Sequence, residues 1–251
     1  MIKNTLKQAV ILAAGRGSRL GNLTANQPKC LLTLGEKCIL EHQLSKLEQL
    51  GISQVELITG FGHKTLQNKI QEFSGNVHIR CHYNPDWETS NNIVSLACAF
   101  PVLQKSFLLL ESDVMVFCPL PSLLTETDGM VLGNWKQGMQ GTRAVMNQQG
   151  LVTALNTQRL PDSNEAALFY KTVNLYAFHN NTFQNHIQDQ IWDLIKQGKT
   201  NLFYETAIAN SISKGLWHAQ GIVLQDRDWC EIDTPQEYEL AQKNHQFNRH
   251  K

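Results

Sequence analysis

The sequence predicts an α/β fold: a doubly wound, mostly parallel (Rossmann-like) sheet carrying a small inserted β-rich region. Three observations predict it. Apolar runs of strand length alternate with stretches of helical spacing over the first part of the chain. The first apolar run breaks into glycines and cations from Gly15 to Gly21. A later run, Ser106 to Asp113, ends in two acids, Glu111 and Asp113. Strand–helix alternation implies right-handed parallel crossovers, and such sheets bind ligands beyond the carboxyl ends of their strands.

Gln8 to Ala14 reads as the first strand. Gly15, Gly17 and Gly21 follow, interleaved with Arg16, Ser18 and Arg19, and Pro28-Lys29 leads back into apolar residues. No acid precedes Glu36. A glycine-rich turn after a strand presents backbone N–H groups to an anion, and nearby cations add charge. This predicts a polyphosphate loop. It is not a Walker loop, because G-x-x-x-x-G-K-[ST] does not occur. Nor is it the dinucleotide fingerprint, because Leu20 stands where a third glycine belongs.

Ile39 to Leu50 has helical spacing, and Gly51 supplies the stop. Val55 to Thr59 is a second strand ending at Gly60. Lys64 to Phe73 is a helix, and Val77 to Tyr83 a third strand. This topology brings the loop at 14–29, Thr59-Gly60 and the segment after Tyr83 to one cleft. That segment, Asn84 to Asn92, is polar. A helix starting near Asn91 would offer N–H groups to the cleft, although plain capping accounts for Ser90 or Asn91 equally well.

Ser106 to Asp113 is apolar until its acids, as a central strand requires. The two carboxylates are two residues apart and leave one face. An acid at this strand end, opposite a cationic loop, suits a Mg²⁺ ligand; a strand-end turn acid is the plain alternative. Leu120 to Thr125 reads as a short helix and Met130 to Leu132 as a strand. Thr142 to Met146 and Leu151 to Leu155 form a hairpin, and Pro161 to Asn164 a loop. Lys171 to Phe178 alternates as a strand offering Lys171 or Asn174 to the cleft; an edge lysine in solvent is the other reading. Thr182 to Gln197 and Tyr204 to Lys214 are helices, Leu216 to Leu224 a strand, and Gln236 to Asn244 a last helix behind Pro235. Asp226 to Glu239 holds six acids and one base, partly mirroring the cationic loop.

The 251 residues, 42% hydrophobic, suffice for one large domain. A single domain over 1–251 is expected, with 1–115 binding nucleotide and 116–251 binding the acceptor and supplying a second metal ligand. With a net charge of zero, nothing points to nucleic acid or an anionic membrane as a bulk partner, and a homodimer is compatible with it. The N-terminus lacks a signal-peptide core, and no apolar run approaches the ~18 residues of a membrane span. A cytoplasmic protein is expected, its six cysteines reduced and mostly buried.

The pattern L-A-A-G-x-G-S-R-L, with Lys29 in P-K ten residues after Arg19, resembles the nucleotidyltransferases that make NDP-sugars and CDP-alcohols. Y-N-P-x-W-x-x-S-N-N-x-x-S-L, from Tyr83 to Leu96, resembles a segment of bacterial phosphocholine cytidylyltransferases that surrounds the cytosine and ribose. W-x-E-I-D-T-P, from Trp229, resembles the closing motif of the same family. K-T-V-N-x-Y is also similar to these enzymes, and F-L-L-L-E-S-D to aminoethylphosphonate cytidylyltransferases. Nearly the whole chain is covered.

The resemblance implies transfer of CMP from CTP to a small phosphorylated or phosphonate amine, with Mg²⁺ as cofactor and pyrophosphate as leaving group. Phosphocholine is the first expectation; phosphoethanolamine and 2-aminoethylphosphonate are close analogues. Lys29, Arg19 and Asp113 are the expected catalytic residues, and Asp113 and Asp233 the expected metal ligands. Leu12, Ala13, Ala14, Gly15, Arg16, Gly17, Ser18, Thr59, Gly60, Asn84, Ser90, Asn91 and Glu111 are assigned to the nucleotide. Trimethylammonium groups favour aromatic faces beside a carboxylate. Tyr204, Glu205, Lys171, Asn174 and Trp229 are therefore assigned to the acceptor, with Tyr176 and Trp135 as further aromatic candidates. A hexose-1-phosphate nucleotidyltransferase and a nucleotide-sensing domain without turnover are the two competing readings.

Overall fold

The computed structural model describes residues 6–156 and 169–249; the expected loop at Pro161 to Asn164 lies outside them. Strand β1 (Gln8–Ala13) is buried along its whole length, which is why it reads as an unbroken apolar run. A small hairpin, β2 (Thr33–Leu34) and β3 (Lys37–Cys38), leads into α1 (Ile39–Gln49). The start of α1 is fixed by Glu41, whose carboxylate accepts the Cys38 backbone N–H at 2.7 Å. Then come β4 (Gln54–Thr59), α2 (His63–Gln71), β5 (His78–Tyr83), α3 (Asn92–Ala97) and β6 (Phe107–Glu111). These form a parallel half-sheet in the order β5-β4-β1-β6.

The second half is β7 (Val114–Val116), β8 (Gly129–Asn134), β9 (Arg143–Met146), β10 (Val152–Asn156), β11 (Tyr170–Phe178), α4 (Asp189–Lys196), α5 (Glu205–Ser213), β12 (Gln220–Val223), β13 (Trp229–Glu231) and α6 (Pro235–Arg249). Strand β11 extends the sheet antiparallel to β6. Its first two residues pair instead with β9, and its other edge pairs with β8. At the register break between Thr172 and Tyr176, Asn174 takes a left-handed φ of 54°. The β9–β10 hairpin is the inserted β-rich element, turning at Gly150 (φ 79°). The α/β class and the parallel pairing of the first strands thus stand as expected.

Alternation along β1 and β4 divides the core. Ile11 and Leu57 face one apolar layer, Val10 and Ile58 the other. A third cluster packs Leu20, Leu34 and Ile39 against Ile232, Tyr238 and Ala241 of the C-terminal segment.

Several boundaries differ from the sequence-based expectation. Ser122–Thr125 is a single 3₁₀ turn, and the helix expected from Thr182 starts there but carries a π-helical turn, Gln184–Gln188. The strand expected from Leu216 shortens to β12. Strands β2, β3, β7 and β13 were not anticipated, because runs of two or three residues carry no readable period. All six cysteines are free thiols. No helix among the described residues is long and apolar enough to cross a membrane.

Candidate active site

Beyond the carboxyl ends of β1 and β6 lies a cavity of about 920 Å³. Three distant segments meet in it. Gly62 (φ 64°) leaves room for Pro28, whose ring lies where a side chain at 62 would stand, and the short 3₁₀ turn Lys29–Leu31 follows. Asp113 sits in the turn between β6 and β7, its carbonyl accepting the Ile232 N–H at 2.9 Å. Asp233 precedes α6, where the Glu237 carboxylate accepts the backbone N–H groups of Asp233 and Thr234 at 2.9 and 2.8 Å.

The Lys29 ammonium donates to Asp113 Oδ2 at 2.5 Å and to Asp233 Oδ1 at 2.9 Å. Arg19 pairs with the other Asp233 oxygen at 2.7 Å. Burial pulls the Lys29 ammonium down, but the two carboxylates outweigh it and raise it above its ordinary value. Burial likewise pushes Asp233 up, and Lys29 and Arg19 outweigh that to hold it low. Asp113 Oδ1 is buried with no hydrogen-bond partner among the described residues. Hard oxygens with an unsatisfied lone pair, already facing a cation, fit Mg²⁺. The described residues hold no group of three or more His, Cys, Asp or Glu arranged for a metal. The protein's share of such a site is therefore these two carboxylates, which matches the habit of Mg²⁺ to draw its remaining ligands from water and substrate phosphates.

A second carboxylate group occupies the other part of the wall. Glu111 accepts from Asn92 Nδ2 at 3.1 Å and from the Tyr204 hydroxyl at 3.0 Å. Burial, then the charges of Asp113 and Glu205, push Glu111 well above the ordinary carboxyl range. Glu205, in the first turn of α5, is 4% exposed, and burial pushes it up to about 7. Lys171 is buried and pairs with Glu231 at 2.5 Å, so it is not an edge lysine in solvent. Burial outweighs that pairing and leaves Glu231 raised.

Of the residues assigned to the nucleotide, Leu12, Ala14, Gly15, Ser90, Asn91 and Glu111 line the cavity. So do Arg19, Lys29, Asp113 and Asp233. From the acceptor group Glu205, Lys171, Asn174 and Trp135 line it.

Other assigned residues lie outside the cavity lining. Ala13 faces the core instead. Arg16 lies over the Phe61 ring, 5.2 Å from its centroid. Gly17 (φ 70°) packs on the Lys29 stem, and Ser18 opens the 3₁₀ turn behind it. Thr59 is fully buried, its hydroxyl bonded to His63 and to the His82 carbonyl. Gly60 supports the wall from behind, because a Cβ there would lie 2.4 Å from Trp87 Cβ and 2.6 Å from the Ala14 carbonyl. Asn84 is buried and donates to Ser95. Tyr204 and Tyr176 are fully buried behind the carboxylates. Trp229 belongs to the core, its ring filling the space over Gly133. An aromatic residue carries no mark in sequence that distinguishes core from cavity, and here the core took three of four.

Glu231, Asn92, Trp87, Arg143 and Phe203 line the cavity without having been assigned to it. Glu231 had a usable signal: it lies two residues before Asp233, the spacing that singled out Glu111 before Asp113.

Residues 9–122 match the family model of the MobA-like NTP transferase domain. That segment, a little under half of the chain, is similar to this domain. Over 242 residues the chain is 28% identical to CMP-5'-(3-aminopropyl)phosphonate synthase of Streptomyces rubellomurinus, covering 91% of this chain and 37% of that protein. It is 30% identical over 110 residues to choline-phosphate cytidylyltransferase of Streptococcus pneumoniae, covering 44% of this chain and 46% of that protein. The matches thus span less than half the length of these two relatives. The fold matches the CTP:phosphocholine cytidylyltransferase of Streptococcus pneumoniae with a TM-score of 0.81 at 19% identity, covering 95% of this chain and 98% of that one.

Proposed function

We propose that this NTP transferase domain, with the C-terminal half that completes its cavity, is a cytidylyltransferase. It transfers CMP from CTP to the phosphate or phosphonate oxygen of a small amine and releases pyrophosphate. The observation that carries this reading is the convergence of Lys29, Asp113 and Asp233, from three distant segments, at one wall of the cavity. The similarity to a CMP-aminopropylphosphonate synthase and a choline-phosphate cytidylyltransferase supports cytidine and an amine acceptor.

The attacking oxygen is already anionic, so no strong base is needed. The chain's task is to gather anions in line and to stabilise the charge of the displacement. The loop beginning at Gly15, with Arg19, holds the β- and γ-phosphates. Lys29 reaches the α-phosphate and the attacking oxygen; its compact charge suits a contact that shifts during the reaction. Asp113 and Asp233 would hold Mg²⁺, which when bound neutralises nucleotide phosphate charge. Ser90, Asn91 and Asn92 at the start of α3 serve the nucleoside, and Glu205 and Lys171 the acceptor; Glu111, first assigned to the nucleotide, joins the acceptor group in this reading, and all six line the cavity.

The test is pyrophosphate release from CTP, UTP, dTTP and GTP, each with phosphocholine, phosphoethanolamine, 2-aminoethylphosphonate and glucose 1-phosphate. Release with CTP and an amine acceptor is expected. Release confined to UTP or dTTP with the hexose phosphate would overturn the proposal in favour of NDP-sugar synthesis. Nucleotide binding with no release from any pair would point to a sensing domain.

A further inference from the structure

The wall around Glu205 has a chemistry that narrows the acceptor. Glu205 Oε2 is buried and has no hydrogen-bond partner among the described residues, yet its side chain lines the cavity. A buried carboxylate oxygen left without a donor is costly, and a ligand that brings an N–H relieves the cost. Glu111 beside it accepts hydrogen bonds from two neutral groups, Asn92 and Tyr204. The Lys171 ammonium is engaged by Glu231 at 2.5 Å, and the Arg143 guanidinium lies 4.4 Å over the Trp135 ring.

Three rings, Trp87, Trp135 and Phe203, also line the cavity. A quaternary ammonium donates no hydrogen bond and is held by ring faces. Tyr176, Tyr204 and Trp229 are buried behind the wall, and the Trp135 ring already carries a guanidinium. Beside these rings the wall offers Glu205 Oε2, an acceptor that a quaternary ammonium leaves without a donor.

We propose that the acceptor is a primary ammonium compound, a phosphate or phosphonate of a short aminoalkyl chain, whose N–H groups are taken by the carboxylates of Glu205 and Glu111, and that the site discriminates against the trimethylammonium of phosphocholine. This inference rests on the cytidylyltransferase reading and fixes its substrate class. Glu205 is the specificity-determining residue, because its Oε2 is the acceptor atom left open.

A methylation series tests it. The full chain is assayed with CTP and phosphoethanolamine, its N-methyl and N,N-dimethyl derivatives, and phosphocholine. The wild type is expected to lose at least about tenfold in kcat/KM from the first to the last, the scale of one charge-assisted hydrogen bond. Glu205→Gln should collapse that ratio through a higher KM for phosphoethanolamine, whereas Glu205→Asp should keep its direction. Thermal denaturation of each variant separates misfolding from lost recognition. Equal or better use of phosphocholine by the wild type would overturn the proposal, as would an undiminished ratio in Glu205→Gln. Calorimetric titration of phosphoethanolamine and phosphocholine into the wild type, without nucleotide, keeps the two readings apart. Glu205-dependent binding of phosphoethanolamine alone upholds the amine site even if CTP is not turned over, and binding of neither overturns it.

Discussion

Lys29 is the residue on which the candidate site turns. Its charge is answered by two carboxylates brought from 84 and 204 residues away. Lys29→Ala and Asp113→Asn should each lower pyrophosphate release at least ~10²-fold, the scale for one strong electrostatic contact to a developing charge. Near-normal release from either folded variant refutes the assignment. The two variants should differ in stability. Lys29→Ala leaves Asp113 without its cation and Asp233 with Arg19 alone, and breaking a buried pair costs about 3–5 kcal/mol. Asp113→Asn keeps the shape and one acceptor oxygen, so its melting temperature should stay closer to the wild type. A different buried acid governs acid stability. Glu56 on β4 is fully buried and accepts from Gln8, Gln54, Arg80 and His82. Burial pushes its carboxyl up, but Arg80, His82 and Gln54 outweigh burial and hold it low. A carboxyl with a depressed folded value contributes stability that is fully present above its unfolded value, here near 4.5, and is lost as pH falls through the folded value. The melting temperature should therefore fall as pH drops below about 4.5, and fall less in Glu56→Gln. Parallel curves for the two proteins would show that Glu56 is not the responsible group.

Strand ends do the positioning at the scale of elements. Gly60 closes β4 against the Ala14 carbonyl and the Trp87 side chain, and Trp87 lines the cavity. Gly60→Ala forces one of them to move. Overpacking of this kind costs about 1–3 kcal/mol, and the displaced wall should raise the KM for nucleotide more than it lowers kcat. Steady-state kinetics beside a thermal melt would measure both; an unchanged KM would mean that Gly60 serves stability alone. The elements that carry the site were legible to different degrees, for physical reasons. Strands β1 and β6 are buried on both faces, so they appear as apolar runs, and the polar residues at their ends stand out. Strand β13 is three residues long and lies within an acidic run, so neither it nor the Glu231 it carries was visible as structure. Its meaning comes from pairing with β7, a contact between Glu231 and Val114 that is 117 residues long-range. Asn174 offers its side chain to the cavity through a left-handed φ at a register break, and no alternation pattern encodes that. The burial of Tyr176, Tyr204 and Trp229 depended on tertiary packing in the same way.

The whole molecule raises the question of whether the segment that matches the family model, residues 9–122, is a folding unit. Its packing says that it is not. Strand β6 is the last strand of the parallel half-sheet, and its outer edge is covered by Leu175 to Phe178 of β11. One face of the half-sheet shares its apolar layer with Val173, Leu175, Leu224 and Trp229, and the other with Tyr176, Phe178 and Phe183. Burying a large apolar side chain contributes about 1.5–3 kcal/mol, so removing these seven uncovers apolar surface worth on the order of 10 kcal/mol. That is comparable with the net stability of an entire domain, about 5–15 kcal/mol. The exposed edge of β6 would also invite pairing with other chains. We therefore expect the chain to unfold as one unit, and the fragment 1–122 expressed alone to show no cooperative transition and to aggregate. Adding the remaining residues as a separate polypeptide should restore a transition only where the two associate. Differential scanning calorimetry of the full chain should give a single peak whose calorimetric and van't Hoff enthalpies agree. Two resolved peaks, or a soluble and cooperatively folded 1–122 fragment, would show instead that the nucleotide half folds first and the acceptor half docks onto it.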